Sequence, residues 1–305
     1  MISLPEDIQK CIREDNWVEY AALCRRYNLL PTDKYNSKIE DFGFFYENCK
    51  DPHGIYISEP KKLIDLRILD TIYLKDISYI TVNIKSDNII MGKLSNLSFP
   101  NLVYLTIDVG RGGLTNLGYL SSDSLLDLEI SGNVGKDLSK ISLKELRHLK
   151  IWSWDQIDLG FLNHSDMVEL TNLTLKSSTF YTHNLDIIDW SKYKYLKQLH
   201  LSEEGNKYKP NTFLLTNTLE CLENITHLCI SKGASEVIGS VSIPSLYSLR
   251  LEVNSVLDLK GLNTPNLEYL NILTYTKEDM YGGLSILRSI FGERIRVSIG
   301  YLSKK

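Results

Sequence analysis

From Ile77 almost to the C-terminus the chain repeats one hydrophobic phrase. An apolar residue is followed three positions later by a second, and two positions after that by a third. The copies are Ile77/Ile80/Val82, Leu102/Leu105/Ile107, Leu125/Leu128/Ile130, Leu146/Leu149/Ile151 and Leu170/Leu173/Leu175, then Leu196/Leu199/Leu201, Ile225/Leu228/Ile230, Leu246/Leu249/Leu251 and Leu267/Leu270/Ile272. Their first positions are spaced by 25, 23, 21, 24, 26, 29, 21 and 21 residues. The closing apolar-x-apolar step is the period of a strand buried on one face, so the residues between the apolar ones point the other way. A unit this short cannot bury its apolar row alone. Stacked neighbours can, and they share one continuous core. Phe99-Pro100-Asn101, Ile243-Pro244-Ser245 and Thr264-Pro265-Asn266 lead into strands, where a proline costs no ladder hydrogen bond.

The phrase, its count and its spacing resemble those of the leucine-rich-repeat family. The resemblance covers roughly residues 77–299, with a worn tenth copy at Ile295, Val297 and Ile299. It implies an α/β solenoid, a curved parallel sheet of nine to ten repeats whose strands line a concave face. The family usually sets Asn or Cys three residues after the last apolar position to ladder the turn. Here only Asn133 and Asn254 match, and Lys85, Gly110, Trp154, Ser178, Glu204, Gly233 and Tyr275 stand elsewhere, so irregular turns are expected.

Residues 1–50 do not carry the repeat. Ser3-x-x-Glu6 and Asn16-x-x-Glu19 are capping boxes, each opening a predicted helix. A third helix is predicted over about 36–49, with Ile39, Phe42, Phe45 and Tyr46 as its apolar side. Leu4-Pro5-Glu6-Asp7-Ile8 and Cys24-Arg25-Arg26-Tyr27 resemble the two ends of an F-box, with a spacer about four residues shorter than that family's. The resemblance implies that Leu4, Pro5, Ile8 and Ile12 face the adaptor of a cullin-type ubiquitin ligase. The other reading is a helical cap over the first repeat's open edge. The expected organisation is therefore a helical unit over 1–50, a connector over 51–76 and the repeat array over 77–305. Within the connector, Ile55-Tyr56-Ile57 reads as a short strand.

Composition narrows the function. With 43% hydrophobic and 24% charged residues the chain is of ordinary globular type. No run of about 18 apolar residues occurs, so no membrane span is expected. The start lacks the basic and apolar regions of a secretory signal. The five cysteines, odd in number and without metal-type spacing, suit reduced thiols, so a cytoplasmic or nuclear location is expected. The net charge is −4, and residues 1–60 account for it with 7 Lys/Arg against 11 Asp/Glu. No net basic excess remains for nucleic acid.

Candidate binding residues are the outward positions of the strands. The fourth copy presents His148, Lys150, Trp152 and, if the strand persists, Trp154, with Glu129 placed to pair with Lys150 across the ladder. Tyr104, His200, His227, Arg250 and Tyr269 occupy outward positions elsewhere. Two tryptophans beside a cation suit the centre of a protein interface; alternatively one of them tucks into the turn. His200, His227 and Cys229 fall on neighbouring strands, which raises either a zinc site or ordinary polar scatter. The insertion between Leu201 and Ile225, with Gly205, Asn206 and Pro210, is either an added contact loop or a tolerated surface segment. No phosphate-binding loop, zincin motif or nucleophile elbow is present. The expectation is a non-enzymatic, cofactor-free protein that binds a protein target on the concave face. Its sharper form is substrate receptor of an SCF-type ubiquitin ligase. The competing form is a plain scaffold with a capped N-terminus.

Overall fold

The computed structural model describes residues 78–84, 101–109, 121–132, 138, 141–154, 156–180, 185–203 and 212–302, together with 6–7, 10, 14, 44–45 and 54–58. In chain order the strands are β1 (Phe44–Phe45), β2 (Gly54–Ser58), β3 (Tyr79–Ile84), β4 (Tyr104–Val109), β5 (Asp127–Gly132), β6 (His148–Ser153) and β7 (Asn172–Ser177). They continue as β8 (Gln198–Glu203), β9 (Thr212–Leu215), β10 (His227–Val237), β11 (Val241–Ser242), β12 (Ser248–Val253), β13 (Leu262–Asn263), β14 (Tyr269–Thr274) and β15 (Arg296–Tyr301). Among the described strands lie the helices α1 (Phe161–His164) and α2 (Lys277–Phe291).

Every copy of the repeat forms one rung of a single sheet. From β2 to β15 the neighbours run parallel in the order β2, β3, β4, β5, β6, β7, β8, β10, β12, β14, β15. The register is the one the phrase dictates. Leu128, Leu149 and Leu173 are cross-strand partners, as are Ile130, Ile151 and Leu175. A shift by one residue would turn every apolar row to water, so burial fixes the alignment. These rows are almost wholly buried, and with the turn residues they make one continuous core. At about 1.5–3 kcal/mol for each fully buried Leu or Ile, the stacked rows dominate the stabilisation. The worn tenth copy takes its place as well, Val297 beside Leu270 and Ile299 beside Ile272. The molecule is a leucine-rich-repeat-type α/β solenoid.

The described return segments on the other side are irregular. They are short 3-10 turns, the four-residue α1, isolated bridges such as Ser121 with Ser142, and the small β11–β13 ladder. Asn254 is exposed and Asn133 lies outside the described residues, so no asparagine ladder holds the turns that are described. Small hydroxyl residues just past the strand's apolar step are buried instead, among them Ser153, Ser177 and Thr274. The Ser177 hydroxyl donates to the Thr179 carbonyl at 2.5 Å.

Three features depart from the sequence reading or add to it. Phe44–Phe45 is extended and pairs antiparallel with Ile57 and Tyr56. This replaces the third predicted helix at those positions: the helical spacing is overridden by a free sheet edge beside two aromatics that favour strands. The longest insertion contains the strand β9, whose Phe213 and Leu215 are fully buried. It pairs with the far half of β10, beyond a bulge where Lys232 takes φ 60°. The insertion's turn residues themselves, 204–211, lie outside the described residues. Finally, the return between β14 and β15 is the 15-residue α2. Asp279 fixes its start, accepting from the Thr276 hydroxyl at 2.6 Å and from the Val256 N–H at 2.9 Å. In the N-terminal region, Glu6, Asp7 and Lys10 are helical. The adaptor-facing candidates Leu4, Pro5, Ile8 and Ile12, like Cys24 to Tyr27, lie outside the described residues. Among the described residues no helix is long and apolar enough to cross a membrane.

Candidate functional site: the open face of the sheet

The alternation that buries the leucines sends the residues between them to the opposite face. The ladder then lines these residues up in rows across the strands. One row runs Tyr79, Tyr104, Asp127, His148, Asn172, Gln198 and His227, and resumes with Ser248, Tyr269 and Arg296. The next includes Glu129, Lys150, Thr174, His200, Cys229, Arg250, Asn271 and Ser298. Tyr104, His148, Lys150, Trp154, His227 and Arg250 are exposed, and Glu129, Trp152, His200 and Tyr269 are half-buried. The structure therefore places all ten outward candidates on the open face.

Around β5 and β6 the opposite charges meet. The Lys150 ammonium pairs with the Glu129 carboxylate, and His148 Nδ1 lies 2.7 Å from Asp127 Oδ2. Trp152 and Trp154 do not separate into an outward and a tucked ring. Their centroids are 5.6 Å apart at 35°, and Trp154 is 40% exposed. Lys176 on β7 holds its ammonium 5.5 Å from the Trp152 ring, within cation–π range. Strand register sets Lys176 opposite Trp152, and side-chain packing draws the two rings and the ammonium together.

A second cluster gathers over β10 to β15. His227, Tyr247 and Tyr269 form a chain of rings, with centroids 6.1 Å and 5.1 Å apart. Arg296 stacks on Tyr269 at 5.2 Å and donates from Nη1 to its hydroxyl at 3.0 Å. Hydrogen bonding to Tyr269, ahead of burial and Glu268, pushes the Tyr247 phenol up to about 12. The sequence reading missed Tyr247, which stands one residue before its strand, and Arg296, which belongs to the worn copy. Arg296 could have been found, since it holds in the tenth copy the position Tyr269 holds in the ninth.

The His200, His227 and Cys229 group does not converge. Cys229 is the cross-strand partner of His200, whereas His227 pairs with Gln198 and Ser248. His227 Nδ1 sits 2.9 Å from the Thr226 hydroxyl instead. Among the described residues no three of His, Cys, Asp and Glu stand close enough to hold a metal. Burial, followed by the charges of Lys176 and Arg250, holds His200 below the ordinary histidine value. Burial pushes the Cys229 thiol up. Burial disfavours a thiolate ligand at Cys229, and the neighbouring Lys176 and Arg250 disfavour a dication beside His200.

No family model matches the sequence, and no curated protein matches it. Among solved structures the chain is similar to the crystal structure of internalin C2 from Listeria monocytogenes. They share 12% identity over 81% of this chain and 80% of that one, with a TM-score of 0.29. So distant a superposition adds nothing to what the sheet already establishes.

Proposed function

We propose that this protein is a non-enzymatic binding scaffold that takes a protein target on the open face of its sheet. The supporting observation is the cluster of Trp152, Trp154 and Lys176, set side by side on the outward side of the sheet. Tryptophan is over-represented at the energetic centres of protein interfaces, and rigid sheet positions lose little entropy on binding. The sheet's outward rows give roughly 40 Å of contact length, counting nine rungs at about 4.8 Å, enough for a standard interface. The test is a photo-cross-linker at position 150 of the full chain, followed by identification of what it captures. A discrete protein captured by the native chain and lost with Trp152→Ala fits the reading. A well-folded chain that captures no such protein contradicts it.

The sharper form is a substrate receptor of an SCF-type ubiquitin ligase, active in the cytoplasm or nucleus. It is supported only by the Leu4-Pro5-Glu6-Asp7-Ile8 and Cys24-Arg25-Arg26-Tyr27 phrases, and would use Leu4, Pro5, Ile8 and Ile12 against the adaptor. Co-purification with the adaptor that a Leu4/Pro5/Ile8 triple alanine variant abolishes is the expected result. No capture by native protein leaves the plain scaffold with its N-terminal cap.

A further inference from the structure

Charge is unevenly spread along the open face, and the distribution points to the chemistry of the target. On β4 and β5 the outward charged residues are Asp108, Asp127 and Glu129. From β6 onward they are Lys150, Lys176, Arg250 and Arg296, against two carboxylates, Glu252 and, beyond the β10 bulge, Glu236. Lys150 is taken by Glu129. Glu252 is 5% exposed and is satisfied from within: it accepts from the Lys232 N–H at 2.6 Å and from the Tyr275 hydroxyl at 2.8 Å. Among the described residues, Lys176, Arg250 and Arg296 therefore make no salt bridge.

Two of these cations frame one groove. It has a volume of about 400 Å³, lies across β12, β14 and β15, and is lined by Arg250 and Arg296 with Tyr269, Asn271 and Ser298 between and beside them. Tyr269 fixes Arg296 by stacking and by a hydrogen bond, leaving the remaining guanidinium donors to face outward. Hydroxyl and amide groups line the floor, so a bound anion would find donors on several sides. Arg250 and Arg296 stand two strands apart and two register positions apart, which puts their Cα atoms roughly 12 Å from each other at ordinary sheet spacings. Two carboxylates three residues apart in a polyproline-II-type segment, which returns to the same face every three residues at about 3.1 Å per residue, present anions at a comparable separation. Guanidinium groups bind carboxylates in bidentate fashion, and the His227–Tyr247–Tyr269 rings offer apolar surface alongside.

We propose that the groove across β12, β14 and β15 receives an acidic segment of the protein target, two of whose carboxylates engage Arg250 and Arg296. This rests on the open face being the target-binding surface. Nucleic acid is the less favoured occupant, because a regular phosphate backbone calls for a line of cations and the face supplies an isolated pair here.

The test uses the full chain and fluorescein-labelled Gly-Glu-Ser-Ser-Glu-Gly, read by fluorescence polarisation at low salt. The Gln-Ser-Ser-Gln counterpart and a six-nucleotide single strand serve as comparison probes. The glutamate peptide is expected to bind at least about tenfold more tightly than the glutamine one, and Arg250→Ala/Arg296→Ala to abolish that preference. The reversed pair R250E/R296E should prefer a Lys-Ser-Ser-Lys peptide, which keeps the result interpretable if the alanine variant folds poorly. Equal binding of the glutamate and glutamine peptides overturns the proposal, as does no binding by native protein. Tighter, arginine-dependent binding of the oligonucleotide overturns it in favour of nucleic acid. Failure here alongside a Trp152-dependent cross-linked protein removes the acidic segment and leaves the scaffold; failure of both assays removes both.

Discussion

Strands β5 and β6 and strands β12 to β15 carry charge on the same scaffold positions and do different things with it. In the first region acid and base face each other across the ladder, Glu129 with Lys150 and Asp127 with His148. In the second, the arginines meet Tyr269, Asn271 and Ser298. A charge paired with its neighbour rigidifies the face and offers little to a partner. A charge stacked on an aromatic ring keeps its attraction for an outside anion. The repeat supplies identical geometry to both, so the identity of each cross-strand partner sets what a region can recognise.

If the two regions differ only on the surface, the buried row beneath them should be equally costly to truncate. Leu149 and Leu270 are each 1% exposed. Leu149→Ala and Leu270→Ala are each expected to cost about 2–5 kcal/mol in denaturant melts. A change within about 0.5 kcal/mol at either would break the shared register. Next in size is Gly261, on the return side behind the second region. It holds φ 105°, and a Cβ there would stand 2.3 Å from the Gly239 carbonyl oxygen. Gly261→Ala should lower stability by about 1–3 kcal/mol, and a neutral result would deny that this turn is tightly packed. Trp152→Ala should weaken target binding by more than about 1 kcal/mol with an unchanged melting temperature, measured by calorimetry once a target is in hand. Unchanged affinity would move the centre of the interface to the tyrosine–arginine cluster.

Smaller effects sharpen the contrast. Glu129→Gln removes a pair whose side chains are 42% and 45% exposed, and should cost at most about 1 kcal/mol, vanishing in high salt. His200 supplies a pH test. Its folded value lies below the ordinary 6.5 because of burial and then Lys176 and Arg250. The unfolded chain therefore takes up the proton first as pH falls. The stability is fully present above about 6.5 and is lost on descending from there through the folded value. His200→Gln should narrow the difference in melting temperature between pH 7.5 and pH 5.5. An identical difference in both proteins would show that His200 titrates as an ordinary exposed group.

Much of the fold was legible because burial on one face of a strand leaves a strict period. Leu146, Leu149 and Ile151 announce a rung and their spacing announces a stack, and the sheet follows in register. The outward candidates were legible for the same reason, since alternation leaves them one direction. Less regular segments were harder to read. Phe44 and Phe45 fit a helical stripe as well as a strand, and pairing with β2 decided between them. The α2 helix was not anticipated, although Gly283 and Leu287 bury one helical face, because it stands where other copies have short turns.

The amino-acid order by itself determined the register of the repeated rungs and which of their side chains leave the core, because both follow from local period and from the cost of exposing leucine; that β2 adds a further rung is settled by its pairing with β3. Only the tertiary structure decided which outward residues touch. That Lys176 covers Trp152, that Arg296 rests on Tyr269 and that His227 stands apart from His200 and Cys229 depend on neighbours 20 to 30 residues away along the chain. Such contacts are set by strand stacking and by the size and charge of each partner, which no periodicity encodes.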